Sequence, residues 1–169
     1  MGKVYKFTQT KLCMVNPIPD GHHSVTPTLT VKGASDAIEF YKKAFGAQEI
    51  MRFLGPDGKS IMHAEIKIGD SRIMLNDEHP QMGCLSPQSI GGTSSGIFLY
   101  VQDTDDTFNK AISAGAKSQM PPMDAFWGDR FGSIIDPFGH VWSIATHKKD
   151  MTFDELKKAG DEFMKSQCK

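Results

Sequence analysis

A histidine and a glutamate stand two residues apart in the run Ile61-Met62-His63-Ala64-Glu65-Ile66-Lys67-Ile68. That spacing puts His63 and Glu65 on one face of an extended strand. Asn76, Asp77 and Glu78 end a neighbouring apolar run. One imidazole with one or two carboxylates is the smallest donor set for a non-haem iron site with open positions, so His63 and Glu65 are candidate catalytic groups. The competing reading is a His63 that hydrogen-bonds within a polar strand face. Trp127, Asp129 and Arg130 form a second constellation, in a glycine-flanked loop. A ring, a carboxylate and a guanidinium so close together can grip an anionic or planar ligand. Arg130 can equally pair with Asp129 or Asp136, and Trp127 can pack beneath a sheet. His22, His23, His79 and His147 fall near element ends or in loops and read as solvated, as does His140 in a turn. Trp142 reads as core, and Met14, Met51, Met62 and Met74 as gap-filling core residues. No Ser-His-Asp order, paired cysteine motif or phosphate-cradling glycine loop is present, and Gly91-Gly92 fits no nucleotide fingerprint.

The elements that must position these groups follow from periodicity. Residues 1–24 contain Pro17, Pro19 and Gly21 without a regular apolar pattern and read as a flexible leader. Val25 to Val31 alternates and is β-branched, a strand. Ser35 and Asp36 can cap a helix whose apolar positions are Ile38, Tyr41, Ala44 and Phe45, ended by Gly46. Three strands follow, over 48–54, 61–68 and 71–77, with turns at Gly55-Pro56-Asp57-Gly58 and Gly69-Asp70. The second half repeats this grammar. Residues 96–101 are a strand, Asp103 to Asp106 offer caps, Phe108, Ala111 and Ile112 mark a helix, and 133–146 read as two strands around Pro137-Phe138-Gly139. Val31 and Val101, Ala44 and Ala114, and Gly69 and Gly139 are each separated by 70 residues. The chain therefore reads as a leader over 1–24, a first strand-helix-three-strand module over 25–78, a Ser/Gly-rich linker over 79–95, a second module over 96–147 and a C-terminal helix over 148–169. Thr152 and Glu155 form a capping box for that helix, with Phe153, Leu156 and Phe163 on its apolar face.

Composition excludes several classes of function. The 169 residues are 39% hydrophobic and 23% charged, which suits a globular chain. Nineteen basic against twenty acidic side chains leave a net charge of −1, so no basic field exists to hold nucleic acid. No apolar run is long enough to cross a membrane, and the polar start is not a secretory signal. Three unpaired cysteines, Cys13, Cys84 and Cys168, fit a reducing, cytoplasmic setting.

Strand alternation sorts each sheet into two faces. Leu29 and Val31, the set Met62, Ala64, Ile66 and Ile68, and the set Ile97, Leu99 and Val101 should meet the helices. Thr26, Thr28 and Thr30, then Ile61, His63, Glu65 and Lys67, and then Phe98 and Tyr100 should lie opposite. Adjacent aromatics on a wet sheet are unfavourable, so this second face is read as a ligand cleft.

The stretches VNPIPDGHHSVTPTLTVKGASDAIEFYKKAFGA, HAEIKIGDSRIMLNDE and FWGDRFGSIIDPFGHVWSIATH resemble the vicinal oxygen chelate superfamily. Glyoxalase I, extradiol dioxygenases, fosfomycin-resistance enzymes and bleomycin-binding proteins belong to it, and the likeness is greatest to its PhnB-like, glyoxalase-related bacterial members. The resemblance implies an α+β fold of two βαβββ modules forming an open, cleft-bearing barrel, completed by a homodimer. It also implies a divalent metal held by four side chains, which strand register carries onto Thr26, Ile73 or Met74, Gly96 and Ser143. Those side chains cannot replace imidazole or carboxylate donors. The expected function is therefore binding of a small organic molecule without the usual metal, with Thr28, Phe98, Tyr100, Trp127 and Arg130 as ligand-binding residues. The alternative is a metal-dependent lyase, isomerase or dioxygenase-type enzyme with a displaced site at His63 and Glu65 and a divalent metal as cofactor. A third reading is a dimerising scaffold with no ligand.

Overall fold

A computed structural model describes residues 15–167; the expectations for the start of the leader, for Met14 and for Cys13 and Cys168 lie outside the described residues. The first module runs β1 (Thr28–Val31), α1 (Ala34–Phe45), β2 (Gln48–Leu54), β3 (Ile61–Ile68) and β4 (Ser71–Asp77). A short helix α2 (Pro87–Ile90) interrupts the linker. The second module runs β5 (Gly96–Tyr100), α3 (Thr104–Ser113), β6 (Lys117–Asp124), β7 (Asp129–Ile135) and β8 (Val141–His147), and α4 (Phe153–Gln167) follows. The strands form two four-stranded sheets, ordered β1-β4-β3-β2 and β5-β8-β7-β6. In each, the first strand pairs in parallel with the last and the other pairs are antiparallel. The architecture is α+β, with the strand-helix-three-strand unit occurring twice.

The 70-residue offset holds for the first strands and fails by one in the last. Thr28 pairs with Met74, whereas its counterpart Phe98 pairs with Ser143. The connection before the last strand also differs between the modules. Ile68 pairs with Ser71 across Gly69-Asp70, but Ile135 pairs with Val141 across Asp136 to His140. A single residue of slip turns a strand over. Arg72 and Met74 face away from the first module's helix, and so do Ser143 and Ala145 in the second.

Three local expectations are corrected. In β3 the pairing steps from Phe53–His63 to Leu54–Ile61, leaving Met62 as an extra, bulged residue. The bulge turns Ile61 into the core and leaves Met62 41% exposed. Met51 and Met74 are likewise only half-buried, and no methionine enters the buried core among the described residues. Helix α1 is not capped by Ser35 or Asp36. Gly33 is its N-cap, and Asp77 Oδ1 on β4 accepts from the N–H groups of Gly33 and Ala34 at 2.9 and 2.8 Å. In α4, the Thr152–Glu155 capping box forms, but Phe153 lies exposed outside the expected apolar face.

One apolar core serves both modules, joining Leu29, Val31, Ile38 and Tyr41 to Phe108, Ile134, Trp142 and Ile144. At its centre lies Asp136, 4% exposed. Its Oδ1 accepts from the N–H groups of Phe138 and His140, each at 2.9 Å, which shapes the turn between β7 and β8. Its Oδ2 accepts from Tyr41 Oη on α1 at 2.8 Å and from Trp142 Nε1 on β8 at 3.0 Å. Burial, then the Asp136 charge, pushes the Tyr41 hydroxyl well above its ordinary range. Beside the carboxylate, the Tyr41 and Phe45 rings lie 5.3 and 4.6 Å from Trp142. Among the described residues no helix is long and apolar enough to cross a membrane.

Removing this shared acceptor strands two buried side-chain donors and two turn amides. Asp136→Ala should lower unfolding free energy by about 3–5 kcal/mol, read as a fall in the urea midpoint at unchanged slope. Tyr41→Phe removes one donor and leaves the carboxylate satisfied, so it should cost about 1 kcal/mol.

Candidate functional site

The face of the second sheet turned away from the helices is built by cross-strand pairing. Phe98, Ser143 and Ser133 form one row across β5, β8 and β7, and Tyr100, Ala145 and Phe131 form the next. His147 pairs with Asp129 in a third row. Met120 and Met123 on β6 extend the first two rows through Ser133 and Phe131. The run Asp129-Arg130-Phe131-Gly132-Ser133 alternates, so its odd positions all reach this face.

The rings form a continuous train. Phe98 lies 5.0 Å from Tyr100 and 5.8 Å from Phe131, and Phe131 lies 5.4 Å from Trp127. Phe126 lies 5.1 Å from both Trp127 and Phe163, the latter on α4. Met120, Met123, Phe126, Trp127, Phe131 and Phe163 enclose a cavity of about 290 Å³. Such offset and edge-on contacts each contribute about 0.5–1.5 kcal/mol beyond area burial. The turn that presents Phe126 and Trp127 requires Gly128, whose φ is 96°. A Cβ there would sit 2.4 Å from the Lys149 carbonyl. That closeness lets the Gly128 carbonyl accept from the N–H groups of Lys148 and Lys149, each at 3.0 Å.

Asp129 fixes the train from beneath. It is 3% exposed. Its Oδ2 accepts from Tyr100 Oη at 3.1 Å and Trp127 Nε1 at 3.0 Å, and its Oδ1 lies 2.8 Å from His147 Nδ1. His147 Nε2 lies 3.0 Å from Asp150 Oδ1. A carboxylate at each ring nitrogen favours the protonated imidazole, and hydrogen bonding first to Asp129 and then to Asp150 raises its pKa. Desolvation, then Asp129, raises the Tyr100 hydroxyl. His147 is exposed as expected, but it is paired rather than free.

Of the residues singled out in the sequence, Phe98, Tyr100 and Trp127 come together. Arg130 faces the other side of β7, where Nε and Nη2 each reach Asp105 at 2.9 Å and Nη1 reaches Asp124 at 3.3 Å. Those carboxylates raise its pKa further, and the fork is already engaged. Thr28 lies on the first sheet, paired with Met74. Phe126, Phe131, Phe163 and His147 were missed. Strand alternation could have found Phe131, whereas Phe163 joins only through tertiary packing.

On the first sheet the displaced-metal residues do not assemble. His63 Nε2 lies 3.7 Å from Glu65 Oε1, and Glu65 is 7% exposed. Glu65 Oε2 is already taken by Arg72 Nη1 at 2.6 Å, with His22 Nε2 at 3.5 Å. Burial pushes the Glu65 carboxyl up, but Arg72, His22 and His63 together hold it below its usual range. Asp77 caps α1 and also accepts from the Ile61 N–H at 2.7 Å. Glu78 accepts from Ser89 and Ser86 at the start of α2, and those hydrogen bonds hold its pKa at about 2. The positions expected to hold a metal in relatives carry hydroxyls at Thr26 and Ser143, a thioether at Met74 and a bare Cα at Gly96. Hard divalent ions need imidazole or anionic oxygen, so these residues do not fit one. Among the described residues, no group of three or more His, Cys, Asp or Glu side chains could hold a metal ion. The expectation that His22 is solvated is overturned, because the leader turn folds it against Glu65 with its side chain 9% exposed. His79 is also partly buried, and His140 Nε2 lies 3.1 Å from the Thr30 carbonyl of the other module.

Known proteins share this fold. The sequence profile of the Glyoxalase/Bleomycin resistance protein/Dioxygenase superfamily matches residues 22–144. An uncharacterized protein of Mycobacterium bovis is 43% identical over 139 residues, covering 80% of this chain and 91% of its own. The X-ray structure of an Arabidopsis thaliana gene product is 27% identical and superposes with a TM-score of 0.59, covering 73% of this chain and 98% of that one. The PhnB protein of Bacillus cereus shares the fold at 15% identity, with a TM-score of 0.56 and coverage of 73% and 99%. By sequence and by fold, the chain belongs to the glyoxalase/bleomycin resistance protein/dioxygenase superfamily.

Proposed function

We propose that the protein binds a small, flat, mostly apolar organic molecule against the aromatic train of the second module and releases it unchanged. The observation that carries this reading is the cavity of about 290 Å³ walled by Phe126, Trp127, Phe131 and Phe163. Its size approaches the lower bound of ordinary ligand sites, and rings of fixed orientation suit a planar guest. Asp129 supports the same reading, since one buried carboxylate sets the indole and the phenol that flank the cleft. The enzyme alternative at His63 and Glu65 is disfavoured because Arg72 already neutralises Glu65.

A homodimer belongs to this proposal. Phe53 and Leu54 on the first sheet are 59% and 52% exposed, and Phe98 and Tyr100 on the second are 49% and 61% exposed. Apolar surface of that kind on both open faces is suited to cover by a second copy.

In a thermal-shift panel of planar heterocycles, at least one compound should stabilise the wild-type protein, by about 2.7 kcal/mol at a hundredfold excess over its Kd. Trp127→Ala should weaken that compound's Kd at least tenfold; a panel with no hit, or a hit indifferent to the substitution, overturns the reading. Sedimentation equilibrium should give twice the chain mass, and Phe98→Asp should shift it toward the monomer.

The His147 pairing predicts a pH signature. Its folded pKa is raised above an unfolded value of about 6.5, so its contribution is complete below that pH and is lost as pH rises through the folded pKa. The Tm difference between wild type and His147→Asn should therefore shrink on going from pH 6 to pH 9. A difference that stays flat would show that the pair does not form.

A further inference from the structure

The linker between the modules opens with a small hairpin that the aromatic site does not use. His79 and Cys84 stand directly opposite each other and exchange both backbone hydrogen bonds. The His79 N–H donates to the Cys84 carbonyl at 2.8 Å, and the Cys84 N–H to the His79 carbonyl at 3.2 Å. Residues paired in this way project their side chains to the same face, with Cα atoms about 5.5 Å apart. The imidazole and the thiol are therefore neighbours. Between them Pro80 to Met82 make one tight 3₁₀ turn, and Gly83, at φ 76°, reverses the chain. The Met82 N–H donates to the His79 carbonyl at 2.9 Å. Residues three apart across such a turn lie on one side of it, and His79 and Met82 line one cavity of about 380 Å³.

The donors gathered here are spare. Among the described residues His79 Nε2 is buried without a hydrogen-bond partner, a rare condition that calls for an explanation. Cys84 is a free, exposed thiol, and Met82 leaves its thioether largely open to solvent. Glu78, the carboxylate next in sequence, is already taken by Ser86, Ser89 and Lys32. What remains is a thiol, a thioether and an imidazole within six residues. Their softness selects the ion. Thiolate and thioether sulfur favour monovalent copper, and imidazole suits it too. Calcium and magnesium need oxygen, and zinc is held by imidazole, thiolate and carboxylate rather than by a thioether.

We propose that this hairpin binds one cuprous ion, with the Cys84 sulfur and the His79 imidazole as its principal ligands and the Met82 sulfur as the third. Cys84 binds as the thiolate, releasing its proton to solvent as the copper–sulfur bond forms, and the copper stays monovalent throughout. The site is separate from the aromatic cavity, and neither proposal needs the other.

Anaerobic competition of the full chain against bicinchoninate, a chromophoric chelator of Cu(I), tests the assignment. The double variant Cys13→Ser/Cys168→Ser, which leaves Cys84 as the only thiol, should withdraw one equivalent of Cu(I). In that background Cys84→Ser and His79→Gln should each weaken binding at least tenfold, and Met82→Leu at least threefold. Labelling of Cys84 with iodoacetamide, read by mass spectrometry, gives a second measurement. Ag(I), a redox-inert mimic, should slow the labelling at least tenfold, and His79→Gln should remove that protection. The proposal is overturned if the double variant withdraws no Cu(I), if any of the three further substitutions leaves the affinity unchanged, or if Ag(I) does not protect Cys84.

Discussion

The fold turns on one buried carboxylate. Asp136 closes the turn between β7 and β8 with two backbone donors and anchors the other module with two side-chain donors. A buried charge is tolerable only when its lone pairs are filled, and here every filled position has a different architectural consequence. The backbone donors fix the five-residue connection between β7 and β8. The tyrosine and tryptophan donors fix α1 against β8. Repeat geometry and inter-module packing are thereby tied to the same two oxygens.

Much of this was legible in the sequence because it rests on period and punctuation. The strand-helix-three-strand order, the 70-residue offset in the first strands and helices, and the capping box of α4 all depend on local chemistry that a single chain displays. The failures share a cause as well. The bulge at Met62 changes no composition, yet it reverses which of Ile61 and Met62 is buried. Asp77 reads as a metal donor beside Glu78 until the fold brings the unsatisfied N-terminus of α1 against it. His22 reads as solvated until the leader turn is seen against β4. In each case the deciding partner belongs to another element.

The two modules have diverged most on the faces that look away from their helices. The first sheet carries His63, Glu65, Arg72 and Lys67 there, and the second carries Phe98, Tyr100, Phe131 and Asp129. The helix-facing sides kept the same apolar character, since both feed one core. A duplicated frame thus holds one charged and one aromatic surface. The positions onto which the resemblance carries the family's metal ligands hold hydroxyl, thioether and glycine, groups that do not fit a hard divalent ion.

The wall of the aromatic cavity is not all of one rigidity. Phe126, Trp127 and Phe131 are fastened to β7 and its preceding turn, but Phe163 belongs to α4, whose outward residues are mostly exposed and whose grip on the body runs through the Phe126 stack. Elements held by so few buried contacts open locally at a small fraction of the global free energy. Breathing of the last helix would therefore widen and narrow the chamber while both sheets stay intact, so the guest proposed for it could exchange without any unfolding of the frame.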